Sequence, residues 1–88
     1  MSLGIRNLRA FLAVADHGSA NKAAHALLRA QSAVTRAIHE LERELEVDLF
    51  ERRAQGMLPT RFGQALLLRA RLMQAEMERA RRELLPHA

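Results

Sequence analysis

Residues 31–46 read QSAVTRAIHELERELE, and two unlike faces are written into this one stretch. Val34, Ile38, Leu41 and Leu45 recur at spacings of four, three and four, with Ala37 beside them, which places them along one side of an α-helix. Gln31, Ser32, Thr35, Arg36, His39 and Arg43 fall on the other side. The spacing predicts a helix from about Gln31 to Glu46, apolar behind and polar in front. Glu40, Glu42, Glu44 and Glu46 are held back to its second half. No glycine closes it, and Glu44 and Glu46 stand at the negative end of the helix dipole, so that end is expected to be solvated or paired with an arginine.

Upstream, Ile5, Leu8, Phe11, Leu12 and Ala15 follow the spacing of an amphipathic helix, which His17-Gly18 ends with Gly18 in a left-handed conformation. Ser19 then caps a second helix, its hydroxyl accepting from a free backbone amide. Ala23, Ala24, Leu27 and Leu28 supply the inner stripe of that helix, which is too short to stand without its neighbours. Downstream the period changes. Leu49-Phe50-Glu51-Arg52 reads as a short strand, Gln55-Gly56 as a turn, and Met57-Leu58 as the return strand before Pro59. Thr60 caps a last helix expected from Arg61 to about Leu84, with Pro86 just past its end, a length of ~36 Å. Phe62, Leu66, Met73, Met77, Ala80 and Leu84 mark one stripe on it, and Leu68, Leu72 and Ala75 a second. Two apolar stripes on one helix imply two partners, its own domain and another chain.

Composition agrees with a mainly helical fold. Sixteen Ala and fifteen Leu stand against three Phe and no Tyr or Trp in 88 residues, so helix formers dominate and strand formers are scarce. A chain this short makes one domain with a modest core. The absence of cysteine excludes a disulfide scaffold and thiolate metal sites. The four histidines, at positions 17, 25, 39 and 87, never fall three or four apart, and no metal-ligand pattern results. Neither a nucleophile–base pair nor a glycine-rich phosphate loop is written here, so no cofactor and no catalysis are expected. The start has no signal-peptide pattern and no apolar run approaches a membrane span, which leaves a cytoplasmic protein as the expectation.

The net charge of +4 conceals a pattern. Residues 40–51 hold six acids against Arg43 alone, whereas the segments on either side are both basic. Thirteen of the fourteen cations are arginine, the side chain suited to bidentate phosphate and guanine-edge contacts. Two helices joined by a tight turn, the second with a small polar tip, fit a helix-turn-helix. A helix entering a DNA major groove about 12 Å wide needs tip side chains that are small or that reach base edges. Gln31, Ser32, Thr35 and Arg36 meet that need: Gln pairs an adenine edge and Arg a guanine edge, while Ser and Thr are permissive. Arg52 and Arg53, near the tip of the hairpin, are placed for the adjacent minor groove. The plain alternatives are a solvated polar face for the helix tip and ion pairs to Glu51 or the acidic helix tail for the two arginines. Arg6, Arg9 and Lys22 read as general surface charge. A different class also fits, a helical module whose basic faces meet an acidic protein; salt dependence together with sequence selectivity separates the two. A membrane-surface role for the last helix is disfavoured, because it lacks aromatic anchors beyond Phe62.

The run Leu8-Arg9-Ala10-Phe11-Leu12-Ala13-Val14-Ala15-Asp16-His17-Gly18-Ser19 resembles the first helix of LysR-type transcriptional regulators. Ala23-Ala24, Gln31-Ser32-Ala33-Val34-Thr35-Arg36, Leu41-Glu42, Leu49-Phe50-Glu51-Arg52, and Thr60 three residues before Gly63 continue the resemblance across about residues 5–68. It implies a bacterial winged helix-turn-helix over residues 1–60, with the helix-turn-helix at about 20–39 and the wing at about 47–60. Residues 61–88 would then be a linker helix that pairs two subunits through Phe62, Leu66, Met73, Met77, Ala80 and Leu84. DNA-binding residues implied are Asn21, Gln31, Ser32, Thr35, Arg36, Arg52 and Arg53, on an interrupted palindrome of double-stranded DNA. The family's effector-binding domain is absent from these residues, so a small-molecule effector would act only through it. The departures are local. Ala20 and Asn21 stand where Phe and Thr are usual, and Asn21 keeps a polar group able to reach a phosphate. Ala30 replaces a Ser cap, at about 1 kcal/mol, and Ser32 and Thr35 replace Pro and Ser. Glu46 replaces a Gly, which should strain that turn.

Overall fold

In the computed structural model, which describes residues 4–85, six elements follow one another along the chain. They are α1 (Ile5–His17), α2 (Ala20–Leu27), α3 (Gln31–Leu45), β1 (Phe50–Arg53), β2 (Gly56–Pro59) and α4 (Arg61–Leu84). Pro86 and His87 lie outside the described residues. The three short helices surround a core in which Phe11, Val14, Val34, Leu41 and Leu49 are the largest fully buried side chains. Small Ala side chains (Ala10, Ala23, Ala24 and Ala37) fill the spaces between them and let the helix backbones approach closely.

The helix boundaries follow from their caps. Gly18 ends α1 at φ 76°, donating its N–H to the Val14 carbonyl at 2.8 Å. Ser19 begins α2 directly afterwards, its Oγ accepting from the Lys22 amide at 3.0 Å. The end of α2 differs from the sequence expectation. Leu28 is not part of the inner stripe; it takes the left-handed C-cap conformation at φ 55° and is 93% exposed. The physical reason is the sharp turn into α3: the chain must reverse before Gln31, and Leu28 absorbs that reversal although nothing packs on its side chain. Ala30 gives α3 no side-chain cap. At the other end Glu46 does adopt the left-handed conformation, φ 57°, that glycine would take without strain. The turn is held there by Glu42, whose carboxylate accepts from the Leu49 amide at 2.8 Å.

β1 and β2 form an antiparallel hairpin in which Phe50 faces Pro59, Glu51 faces Leu58, Arg52 faces Met57 and Arg53 faces Gly56. Two strands of four residues are marginal alone, and the helices hold both ends of this one. The Phe50 ring lies 5.3 Å from that of Phe11, tilted by 43°. Met57 donates its N–H to the Gly18 carbonyl at 2.9 Å, and Thr60 donates its N–H to the Leu49 carbonyl at 2.9 Å. Thr60 also starts α4: its hydroxyl accepts from the Gly63 amide and donates to the Asp48 carbonyl.

The first ten residues of α4 belong to the domain. Gly63 and Ala70 are buried, Leu66 and Leu67 half-buried, and all but Gly63 pack against Leu8 and Leu12 of α1. The inward spacing is therefore 63, 66, 67 and 70, a phase that neither expected stripe describes. The unbroken Ala65-Leu66-Leu67-Leu68 run left that phase undetermined. An ion pair from Arg71 to Asp16 at 2.7 Å marks the last anchor. From residue 71 to residue 85 every side chain is exposed.

Candidate nucleic-acid interface

α3 turns its apolar stripe toward α1 and α2, so its opposite side is left on the surface. Gln31, Ser32 and Arg36 are exposed and Thr35 is half-buried. Together with His39 and Arg43 they line one open depression along the helix. His39 and Arg43 were visible as members of the outer face but had no site role in the sequence reading; their spacing of four from Thr35 and His39 was the available signal.

The charges on this helix are sorted by direction. None of the residues lining the depression is acidic, although four glutamates lie between positions 40 and 46. Glu40 accepts from the Asn7 side-chain amide at 3.1 Å, and Glu42 is held by the Leu49 amide. Both carboxylates are thereby directed to neighbouring elements, α1 and the α3–β1 turn. The resulting surface presents a carboxamide, two hydroxyls, an imidazole and two guanidinium groups. Such a set offers donors in bidentate and single geometry and no fixed negative charge to repel an anion.

Asn21 is exposed in the first turn of α2, and Arg52 and Arg53 are exposed on β1. Arg53 donates from Nη2 to Glu51 Oε1 at 3.1 Å, so the plain ion-pair reading of that arginine is realised in this conformation. The pair is half-exposed on both sides, which makes it worth no more than about 1 kcal/mol and easily exchanged for another anion. Arg52 makes no ion pair among the described residues.

On α4, Phe62 is exposed with the Arg61 guanidinium 4.8 Å over its ring. Met73, Met77, Ala80 and Leu84 are exposed, whereas Leu66 packs within its own domain and leaves only its outer edge free. Leu68 and Leu72 are exposed as well, at 58% and 51%. Among the described residues no group of three or more His, Asp or Glu side chains stands together as a metal site, and no helix is long and apolar enough to cross a membrane.

Three helices, a tight turn between the second and third, and a two-stranded wing define a winged helix-turn-helix with a long helix appended. Residues 5–64 match the family described as bacterial regulatory helix-turn-helix protein, lysR family, and the chain belongs to that family. Among its relatives, the HTH-type transcriptional regulator GalR of Pseudomonas putida is 50% identical over 74 residues, covering 84% of this chain and 19% of the relative. The HTH-type transcriptional regulator TfdS of Cupriavidus pinatubonensis is 48% identical over 68 residues, covering 77% of this chain and 23% of the relative. The chain thus spans about a fifth of the length of these curated relatives. Among solved structures, the BenM DBD/benA site 1 DNA complex superposes with a TM-score of 0.87 at 32% identity over all of both chains. The CbnR DBD–DNA complex gives 0.80 at 36% identity, covering 91% of this chain and 90% of that one.

Proposed function

We propose that this chain is the sequence-specific DNA-binding part of a bacterial LysR-type transcriptional regulator, that it acts by binding rather than catalysis, and that it binds double-stranded DNA as a homodimer. One observation carries the reading: the exposed side of α3 gathers Gln31, Ser32, Thr35 and Arg36 on a surface lined by no acid, with Glu40 and Glu42 of the same helix held to neighbouring elements. DNA complexes among its structural neighbours support the same reading. In this assignment Gln31 and Arg36 read base edges in the major groove, Ser32 and Thr35 fit against them, and Asn21 meets a phosphate. Arg52 and Arg53 serve the minor groove or its flanking phosphates, Arg53 exchanging Glu51 for the polyanion.

In this reading residues 1–60 are the DNA-binding unit and residues 61–88 the linker segment, whose helix α4 packs its first ten residues on that unit and leaves the rest exposed. Phe62, Met73, Met77, Ala80 and Leu84, with the outer edge of Leu66, form the seam between two copies. Two-fold symmetry then requires an interrupted palindrome with half-sites separated by whole helical turns. A role on the chromosome places the protein in the cytoplasm. Any small-molecule effector is assigned to sequence outside these 88 residues.

The test is titration of labelled duplex DNA at several salt concentrations. The proposal expects log affinity to fall linearly with log salt, by about 0.9 for each phosphate neutralised, and to differ between duplex sequences. Equal affinity for all duplexes and for an acidic protein of similar charge would leave only a basic interaction module.

A further inference from the structure

Away from its base the hairpin is joined to the helical body by backbone as well as by the Met57 side chain, which packs against the core. Gly18, which ends α1, points its carbonyl at β2 and accepts from the Met57 amide at 2.9 Å. Gly56, the residue before, passes so close that a Cβ built on it would lie 2.5 Å from the same carbonyl oxygen. A side-chain neighbour can rotate away from such a clash; the backbone carbonyl of a helix C-cap residue, held by the Met57 amide, cannot. Gly56 also takes φ 123°, outside the range of ordinary side-chain-bearing residues. The register puts Met57 and Gly56 directly opposite Arg52 and Arg53. Arg52 therefore rides on the rung of the hairpin that is fastened to the α1–α2 turn, and Arg53 on the rung next to it.

We infer that Gly56 is a positioning residue for DNA binding: the absence of its side chain lets the Gly18 carbonyl fasten the wing, and this sets how far Arg52 and Arg53 stand from the recognition face of α3. The inference rests on the DNA-binding reading above and adds to it a specific coupling between its two contact regions. A duplex presents a major groove and its neighbouring minor groove at a fixed separation, so arginines on a displaced wing would miss the backbone they are meant to reach. The residue touches no DNA itself.

Gly18 supplies an internal control. It too has positive φ, 76°, but a Cβ built there meets nothing within 4 Å. Gly18→Ala therefore strains the backbone without obstructing the wing, whereas Gly56→Ala does both.

The experiment measures duplex affinity against salt for the full chain, for each alanine variant, and for the chain with both Arg52 and Arg53 changed to alanine. Gly56→Ala is expected to reduce the salt slope by about one unit or more, as loss of the wing arginines does, while preserving the base preferences set by α3. Gly18→Ala is expected to keep the slope at a lower melting temperature. In the background lacking both arginines, Gly56→Ala should alter affinity by less than about twofold, because its effect runs through them. If Gly56→Ala melts below the assay temperature, an ester replacing the 56–57 peptide bond deletes the Met57 donor without adding a methyl, and it should lower the slope alike. An unchanged slope for the folded variants, or an equal fall for Gly18→Ala, would overturn the inference while DNA binding itself stands. Absence of salt-dependent binding by the unaltered chain would instead remove the reading beneath it.

Discussion

The outer side of α3 and the outer half of α4 are both exposed, and their side chains are opposite in kind. α3 presents Gln31, Ser32, Thr35, Arg36, His39 and Arg43, polar or cationic groups over a closed apolar core. α4 beyond residue 70 presents Leu72, Met73, Met77 and Leu84, the last of these 77% exposed, among arginines and glutamates. The first surface is comfortable in water and gains only from a partner that supplies acceptors and negative charge. The second loses in water at roughly 25 cal/mol per Å² of apolar area and gains from any apolar partner. Exposure alone therefore says little; the chemistry of what is exposed separates a site for a polyanion from a site for a second helix.

The largest effect is expected at Met77. Met77→Glu is expected to give a monomer in sedimentation, because a carboxylate would be buried between two apolar helices. Operator affinity should fall by about two orders of magnitude or more as the second half-site becomes a separate binding event. An intact dimer would move the seam to Leu68 and Leu72. At α3, Arg36→Ala is expected to lower affinity by about 1–3 kcal/mol and to relax preference at one base pair, with the dimer unchanged. Salt sharpens the same contrast: raising it should weaken duplex binding steeply and leave the α4 seam intact, measured by titration and sedimentation on one sample. The smallest effect is expected at Leu28, whose exposure serves neither surface. Leu28→Gly removes a left-handed leucine and should stabilise the fold by about 0.5–1 kcal/mol in chemical denaturation.

Much of this was legible because it is local. Gly18, Ser19 and Thr60 set helix ends through contacts within four residues, and each was readable from neighbouring residue types. The polar face of α3 was readable because its period is unbroken. What escaped had one of two causes. Leu28 takes glycine's conformation without being glycine, because a chain reversal imposed by packing overrides local preference, whereas the same conformation at Glu46 was foreseen from the glycine usual there. The Glu42–Leu49 contact, the Met57–Gly18 contact and the inward phase of α4 join residues distant in sequence, where spacing carries no information.

The proposed reading of base pairs by α3 runs through Gln31 and Arg36, with Ser32 and Thr35 fitted against the base edges. Its most direct test is selection of bound sequences from a random duplex pool, run in parallel with the unaltered chain and with Arg36→Ala. An interrupted palindrome, losing information at one symmetric base pair in the variant, is the predicted result. Recovery of the same motif at undiminished information from both proteins, or of no motif from either, would contradict it.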